Sequence, residues 1–151
     1  MTSTVTLADL IARTGFDVLD HLERQMTIPV TGGLQAQGDL IVIPLSLLTD
    51  VVIWREAHWR DVPGQGIDVL RAAAGGNPHT LVADPGTCRW TTGVRDPAGL
   101  ALGALTTTGV AYLLHPEHGG SGIAPGSYLI RRQRERTASP RLNSPHQFIA
   151  D

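Results

Sequence analysis

The sequence predicts a mainly β protein, an antiparallel barrel or sandwich with a short helical segment at its front. Three observations carry that expectation. Apolar residues at helical spacing are confined to the stretch from Leu7 to Arg24. After Gln25 the period changes to that of strands, and from Gly75 onward turn chemistry recurs at short intervals.

At the front, Thr6-Leu7-Ala8-Asp9 has the form of a capping box, in which a hydroxyl and a carboxylate satisfy free amides at a helix start. Leu7, Leu10 and Ile11 follow at helical spacing, and Val18, Leu19 and Leu22 resume it after a break at Gly15. Thr27 to Val30 is a short β-prone run, stopped by Thr31-Gly32-Gly33. Asp39 to Ile43 is a nearly continuous apolar strand reached through Gln37-Gly38. Leu45 to Val52 fits a helical turn or a strand equally. Trp54 and Trp59 flank the charged stretch Arg55-Glu56-Ala57-His58, read as a loop that packs its aromatics on the body.

The turns are Gly75 to Pro78, Asp84-Pro85-Gly86, Asp96 to Gly99, Pro116 to Gly122 and Pro125-Gly126. Between them lie the strand candidates Thr80 to Ala83, Cys88 to Thr92, Leu100 to Thr107, Val110 to Leu114 and Ser127 to Gln133. Connections this short favour antiparallel pairing, because a parallel pair needs a long crossover. One domain spanning residues 1–151 is expected: a helical segment over 1–25, a β body over 26–136, and a C-terminal arm over 137–151 with a last short strand at Gln147 to Ala150.

Composition narrows the chemistry. Hydrophobic content of 42% and charged content of 17% are those of a folded globular chain. A net charge of -2 and two Tyr with two Phe argue against nucleic acid as a partner. No apolar run reaches a membrane-spanning length, the first residues lack a signal-peptide pattern, and the single Cys88 can form no internal disulfide. A cytoplasmic protein is the expectation. All 12 basic residues are Arg. Arginine stays protonated, so Schiff-base, lysine-base and phosphate-loop lysine chemistry are excluded. Gly119-Gly120-Ser121-Gly122 lacks the spacing of a nucleophile elbow, and the approach Gln37 to Val42, similar to that of Ser-Lys self-cleaving peptidases, has no lysine to pair with.

Two segments retain functional promise. In His115-Pro116-Glu117-His118 two imidazoles sit three apart across a turn, and each can offer a nitrogen lone pair to an ion. His79, after the turn at Gly75 to Pro78, is the third candidate ligand for a divalent metal. Along Ser127 to Arg136, strand alternation puts Tyr128, Ile130, Arg132, Arg134 and Arg136 on one face. Arg132, Arg134 and Arg136 then form a candidate partner-binding surface, since guanidinium forks bind acidic groups well.

Gln37-Gly38-Asp39, Pro78-His79, His115-x-Glu117-His118, Pro125-Gly126-x-Tyr128 and Arg132 to Glu135 occur in the order found in a group of small uncharacterised bacterial proteins. The chain resembles that group, which carries a Gly-His-x-His turn, a His-x-Glu-His turn and a Pro-x-Gly-x-Tyr strand ending in Gln-Arg-Glu. Asn77 departs from the first turn, standing where one of its histidines is expected. The layout also resembles a cupin-like barrel, and that resemblance implies histidines from two strand ends sharing a metal. Two readings follow. One is a non-catalytic β-barrel module that binds another protein or itself, or helps assemble a complex. The other is a cupin-like metal-binding protein or metalloenzyme acting on a small molecule, with His79, His115 and His118 as ligands.

Overall fold

The computed structural model describes residues 5–15, 27–70, 78–136 and 146–148. One helix, α1 (Leu7–Thr14), opens the chain, and its start is the expected capping box: the Thr6 N–H donates to Asp9 Oδ2 at 2.9 Å and the Asp9 N–H to Thr6 Oγ1 at 3.1 Å. Gly15 ends it in the left-handed region, at φ 68°. The expected continuation from Val18 to Arg24 lies outside the described residues.

The strands follow as β1 (Val30–Thr31), β2 (Gln35–Gln37), β3 (Leu40–Pro44), β4 (Val52–Ile53), β5 (Arg60–Asp61), β6 (Ile67–Leu70), β7 (His79–Ala83) and β8 (Cys88–Thr91). After them come β9 (Val94–Arg95), β10 (Ala101–Thr107), β11 (Ala111–His115), β12 (Gly119–Ile123), β13 (Gly126–Arg132), β14 (Arg134–Arg136) and β15 (His146–Phe148). A one-turn 3-10 helix, Leu45–Leu47, resolves part of the ambiguous stretch after β3.

Two open sheets form the body. One has the order β1-β12-β11-β7-β6 and the other β2-β3-β13-β10-β8-β5. Two-stranded pairs β4-β9 and β14-β15 complete the pattern. Every pair is antiparallel except β1-β12, where Val30 and Thr31 run beside Gly122 and Ile123 in the same direction. The layout is that of a sandwich, and neither main sheet closes into a barrel.

The main core lies between the sheets. It joins Val69, Leu81, Leu113 and Ile123 of the first sheet to Leu40, Val42, Leu105, Tyr128 and Ile130 of the second. A second cluster covers the outer face of the five-stranded sheet, where Leu7 and Leu10 of α1 pack with Ile28, Val82, Tyr112 and Leu114. The amphipathic helix thus buries its apolar stripe on strand side chains that face away from the main core. An Arg13–Asp84 ion pair ties the helix to the turn after β7.

Two expectations need correction. Pro116 to Gly122 is not all turn, for β12 begins at Gly119. Gly122 stands where neighbours come too close for a side chain: a Cβ on it would lie 2.6 Å from Val30 Cγ2 and 2.8 Å from the Pro29 carbonyl oxygen. Trp54 does not pack on the body, for it is 55% exposed. Trp59 is half-buried and holds Arg89 over its ring, 5.7 Å from the centroid.

Candidate functional site

The residues singled out around the histidines converge at one place. β2 and β3 are joined by a two-residue turn, Gly38–Asp39, with Gly38 at φ 58°. That tight hairpin aims Gln37 and Asp39 from the six-stranded sheet toward β7 and β11 of the other. His79 starts β7 and is completely buried; His115 ends β11 and is 2% exposed. His118 belongs to the exposed turn that carries the chain into β12.

The three imidazoles come together as rings. His79 and His115 have centroids 4.3 Å apart, His115 and His118 4.5 Å, and His79 and His118 6.3 Å, the last two with planes within 10° of parallel. These distances close a nearly right-angled triangle with His115 at the corner.

Hydrogen bonds determine which nitrogens carry protons. Gln37 Nε2 donates to the Leu113 carbonyl at 2.8 Å and to Ser121 Oγ at 3.0 Å. A carbonyl only accepts, so the amide orientation is set and Gln37 Oε1 faces His79 Nδ1, 3.0 Å away. His79 Nδ1 therefore carries a proton. Its Nε2 lies 3.2 Å from Asp39 Oδ1. His115 Nδ1 accepts the N–H groups of Glu117 at 3.1 Å and His118 at 3.3 Å. That lone pair closes the turn, and the neutral ring holds its proton on Nε2.

The arrangement is a polar clamp across the sandwich. Gln37 and Asp39 grip His79 from the opposite sheet, and His115 shapes its own hairpin. A metal on His79 would displace Gln37 or Asp39, and one on His115 Nδ1 would break two turn hydrogen bonds. Among the described residues, no group of three or more His, Cys, Asp or Glu side chains is placed to hold a metal ion.

Gln37 and Asp39 are the participants that residue chemistry alone passed over. Their signal was present: two polar side chains flank a glycine directly before a buried apolar strand, and the resemblance already included that triplet.

The arginine surface is arranged differently from the expected face. β13 stops at Arg132 and β14 starts at Arg134, so alternation is interrupted at Gln133. The Gln133 N–H donates to the Asp39 carbonyl at 2.7 Å, and its Nε2 to the carbonyls of Gly38 and Leu40. Gln133 thereby braces the hairpin that carries Asp39. Arg132 is half-buried; Arg134 and Arg136 stand opposite Phe148 and His146. The Arg131 guanidinium is anchored by two hydrogen bonds to Asp96, at 3.0 and 2.7 Å. Burial pushes the Asp96 carboxyl upward, but the Arg131 hydrogen bond, the N–H groups of Ala98 and Leu100, and the Arg131 charge outweigh it and hold the carboxyl below its ordinary range. Burial pushes the Cys88 thiol up to about 11, which makes it an unreactive core residue.

Large apolar side chains lie outside the sandwich as well. Leu34 is 57% exposed, Leu47 63%, Val52 50% and Trp54 55%. All four fall within one segment of chain, Leu34 to Trp54. Val52 opens β4, and Trp54 is the first residue after its end.

No helix among the described residues is long and apolar enough to cross a membrane. No curated protein and no solved structure matches the chain. A family model does match, over residues 36–133, from β2 through the end of β13, and so takes in Gln37, Asp39, His79, His115 and His118. The chain belongs to that family, described as a domain of unknown function, DUF8820.

Proposed function

We propose that this β-sandwich is a non-catalytic module that binds another protein through the apolar surface contributed by Leu34 to Trp54. The observation that carries the reading is the exposure of Leu34, Leu47, Val52 and Trp54, each at least half open. Isolated exposed apolar residues are ordinary, but an exposed tryptophan two residues after an exposed valine, at the end of β4, has the composition of a contact surface. The inward hydrogen bonding of His79 and His115 supports the same reading, because both rings are engaged in holding the two sheets and a hairpin together. Arg132, Arg134 and Arg136 remain a second contact surface for acidic groups.

The test is association, measured separately from folding. A Val52→Ser/Trp54→Ser variant should keep the wild-type melting temperature to within a few degrees and lose the complex that the wild type forms in its source cells, sized by light scattering after gentle isolation. An unchanged complex counts against this surface. Replacing Arg132, Arg134 and Arg136 together reports on the basic surface in the same way.

One observation favours the alternative, a metal-binding protein: His79, His115 and His118 lie with all ring centroids within 6.3 Å. In that reading a chelator lowers the melting temperature of the wild type and leaves a His115→Ala/His118→Ala variant unaffected. The module reading predicts no chelator response in either protein.

A further inference from the structure

A cavity of about 310 Å³ opens where three connections meet at one end of the sandwich. Gly32 comes from the link between β1 and β2, Pro44 and Leu45 from the exit of β3, and Pro125, Gly126 and Tyr128 from the turn into β13. The histidine cluster does not line it. We infer that this cavity receives an uncharged, apolar side chain of a partner polypeptide, with a backbone N–H of the same segment donating to the Tyr128 hydroxyl. The inference rests on the module reading and names the partner's chemistry at one point of its surface.

The electrostatic match comes first. No carboxylate, guanidinium or imidazole lines the cavity; the polar groups are the hydroxyls of Ser46, Ser127 and Tyr128 together with backbone. A charged side chain would lose its hydration there and gain no counter-charge, whereas a leucine-like group would meet Pro44, Leu45 and Pro125. The polarity of the hydrogen bonding is also set. Tyr128 Oη donates its proton to the Ala124 carbonyl at 2.7 Å, so toward a ligand it can only accept. An amide N–H supplies the complementary donor.

Glycines keep that approach open. A Cβ at Gly32 would lie 3.6 Å from Tyr128 Oη, and one at Gly126 3.2 Å from it. Gly126 also has φ 150°, a conformation other residues rarely adopt. Leu47 directly follows Ser46, and Leu34 lies two residues after Gly32, so exposed apolar side chains flank the lining segments in the chain.

Titration of the isotope-labelled full chain with N-acetyl-leucine-methylamide, followed by amide NMR, tests the inference. Saturable shifts are expected at Gly32, Ser46, Gly126 and Ser127, with the corresponding glutamate and lysine methylamides at least about tenfold weaker. Gly32→Ile should abolish the response while preserving the rest of the spectrum, because a Cβ there meets neighbours only at ordinary contact distance. Absence of saturable shifts with the leucine probe, equal response to the charged probes, or an unaltered response in Gly32→Ile overturns the inference. The module reading is decided separately, at Val52 and Trp54, so the two failures are distinguishable.

Discussion

Two regions of this protein invert the usual rule in opposite directions. At the hairpin end of the sandwich, Gln37, Asp39, His79 and His115 are polar and buried. Between Leu34 and Trp54, four large apolar side chains face outward. The first region meets the cost of burial with hydrogen bonds: His79 has a partner at each ring nitrogen, and Gln37 uses both ends of its amide. The second region has no such internal compensation. Its apolar area is left in water, and removing such area from water is favourable. A buried polar cluster is therefore insufficient evidence for a reactive site, and an exposed tryptophan can say more about function than a group of histidines.

The largest expected effect lies in the buried region. Asp39→Ala removes one partner of a buried ring and leaves the other inside, so it should destabilise the fold by about 3 kcal/mol, measured by urea unfolding. A loss under about 0.5 kcal/mol would mean that the clamp contributes little. Gly122→Ala tests why β12 is glycine-rich, and crowding against Val30 and the Pro29 carbonyl should cost about 2 kcal/mol. If the variant is neutral, β1 can move away at no cost, and the close approach does not explain the glycine.

Smaller again is the pH effect of Asp96. Its carboxyl is held below its ordinary range, so the folded state binds the proton less tightly than the unfolded chain. The stabilisation is fully present above the unfolded value, roughly 3.9, and is lost as pH falls through the lower folded value. Asp96→Asn should cost about 1.5 kcal/mol at neutral pH and flatten this part of the acid limb of stability against pH. An acid limb identical in wild type and variant would remove Asp96 from it.

Much of the fold was legible in the sequence, for identifiable physical reasons. The capping box at Thr6 and Asp9 and the strands β3, β7, β8, β10, β11 and β13 depend on local hydrogen bonding, periodicity and turn chemistry, all of which are written locally. β12 was hidden because Gly122 answers to Val30 and Pro29, and Gly120 to Ile28, all about ninety residues earlier in the chain. The short β2, β5 and β9 lack a periodic signal of their own and exist through their partners. At the candidate site the sequence pointed to His79, His115 and His118, which do meet. It could not give the proton positions, since those depend on Leu113 fixing the Gln37 amide and on the turn amides facing His115. The exposure of Trp54 was equally hidden: an aromatic beside charges packs inward as readily as it faces outward.

The contrast between the two regions can be measured in one experiment. A photoreactive amino acid is placed at position 54, on the apolar surface, or at position 117, in the exposed turn beside His115, and each protein is irradiated in its source cells. The module reading predicts a discrete cross-linked protein adduct from position 54 and none from position 117. Adducts from position 117 alone, or from neither position, would contradict it.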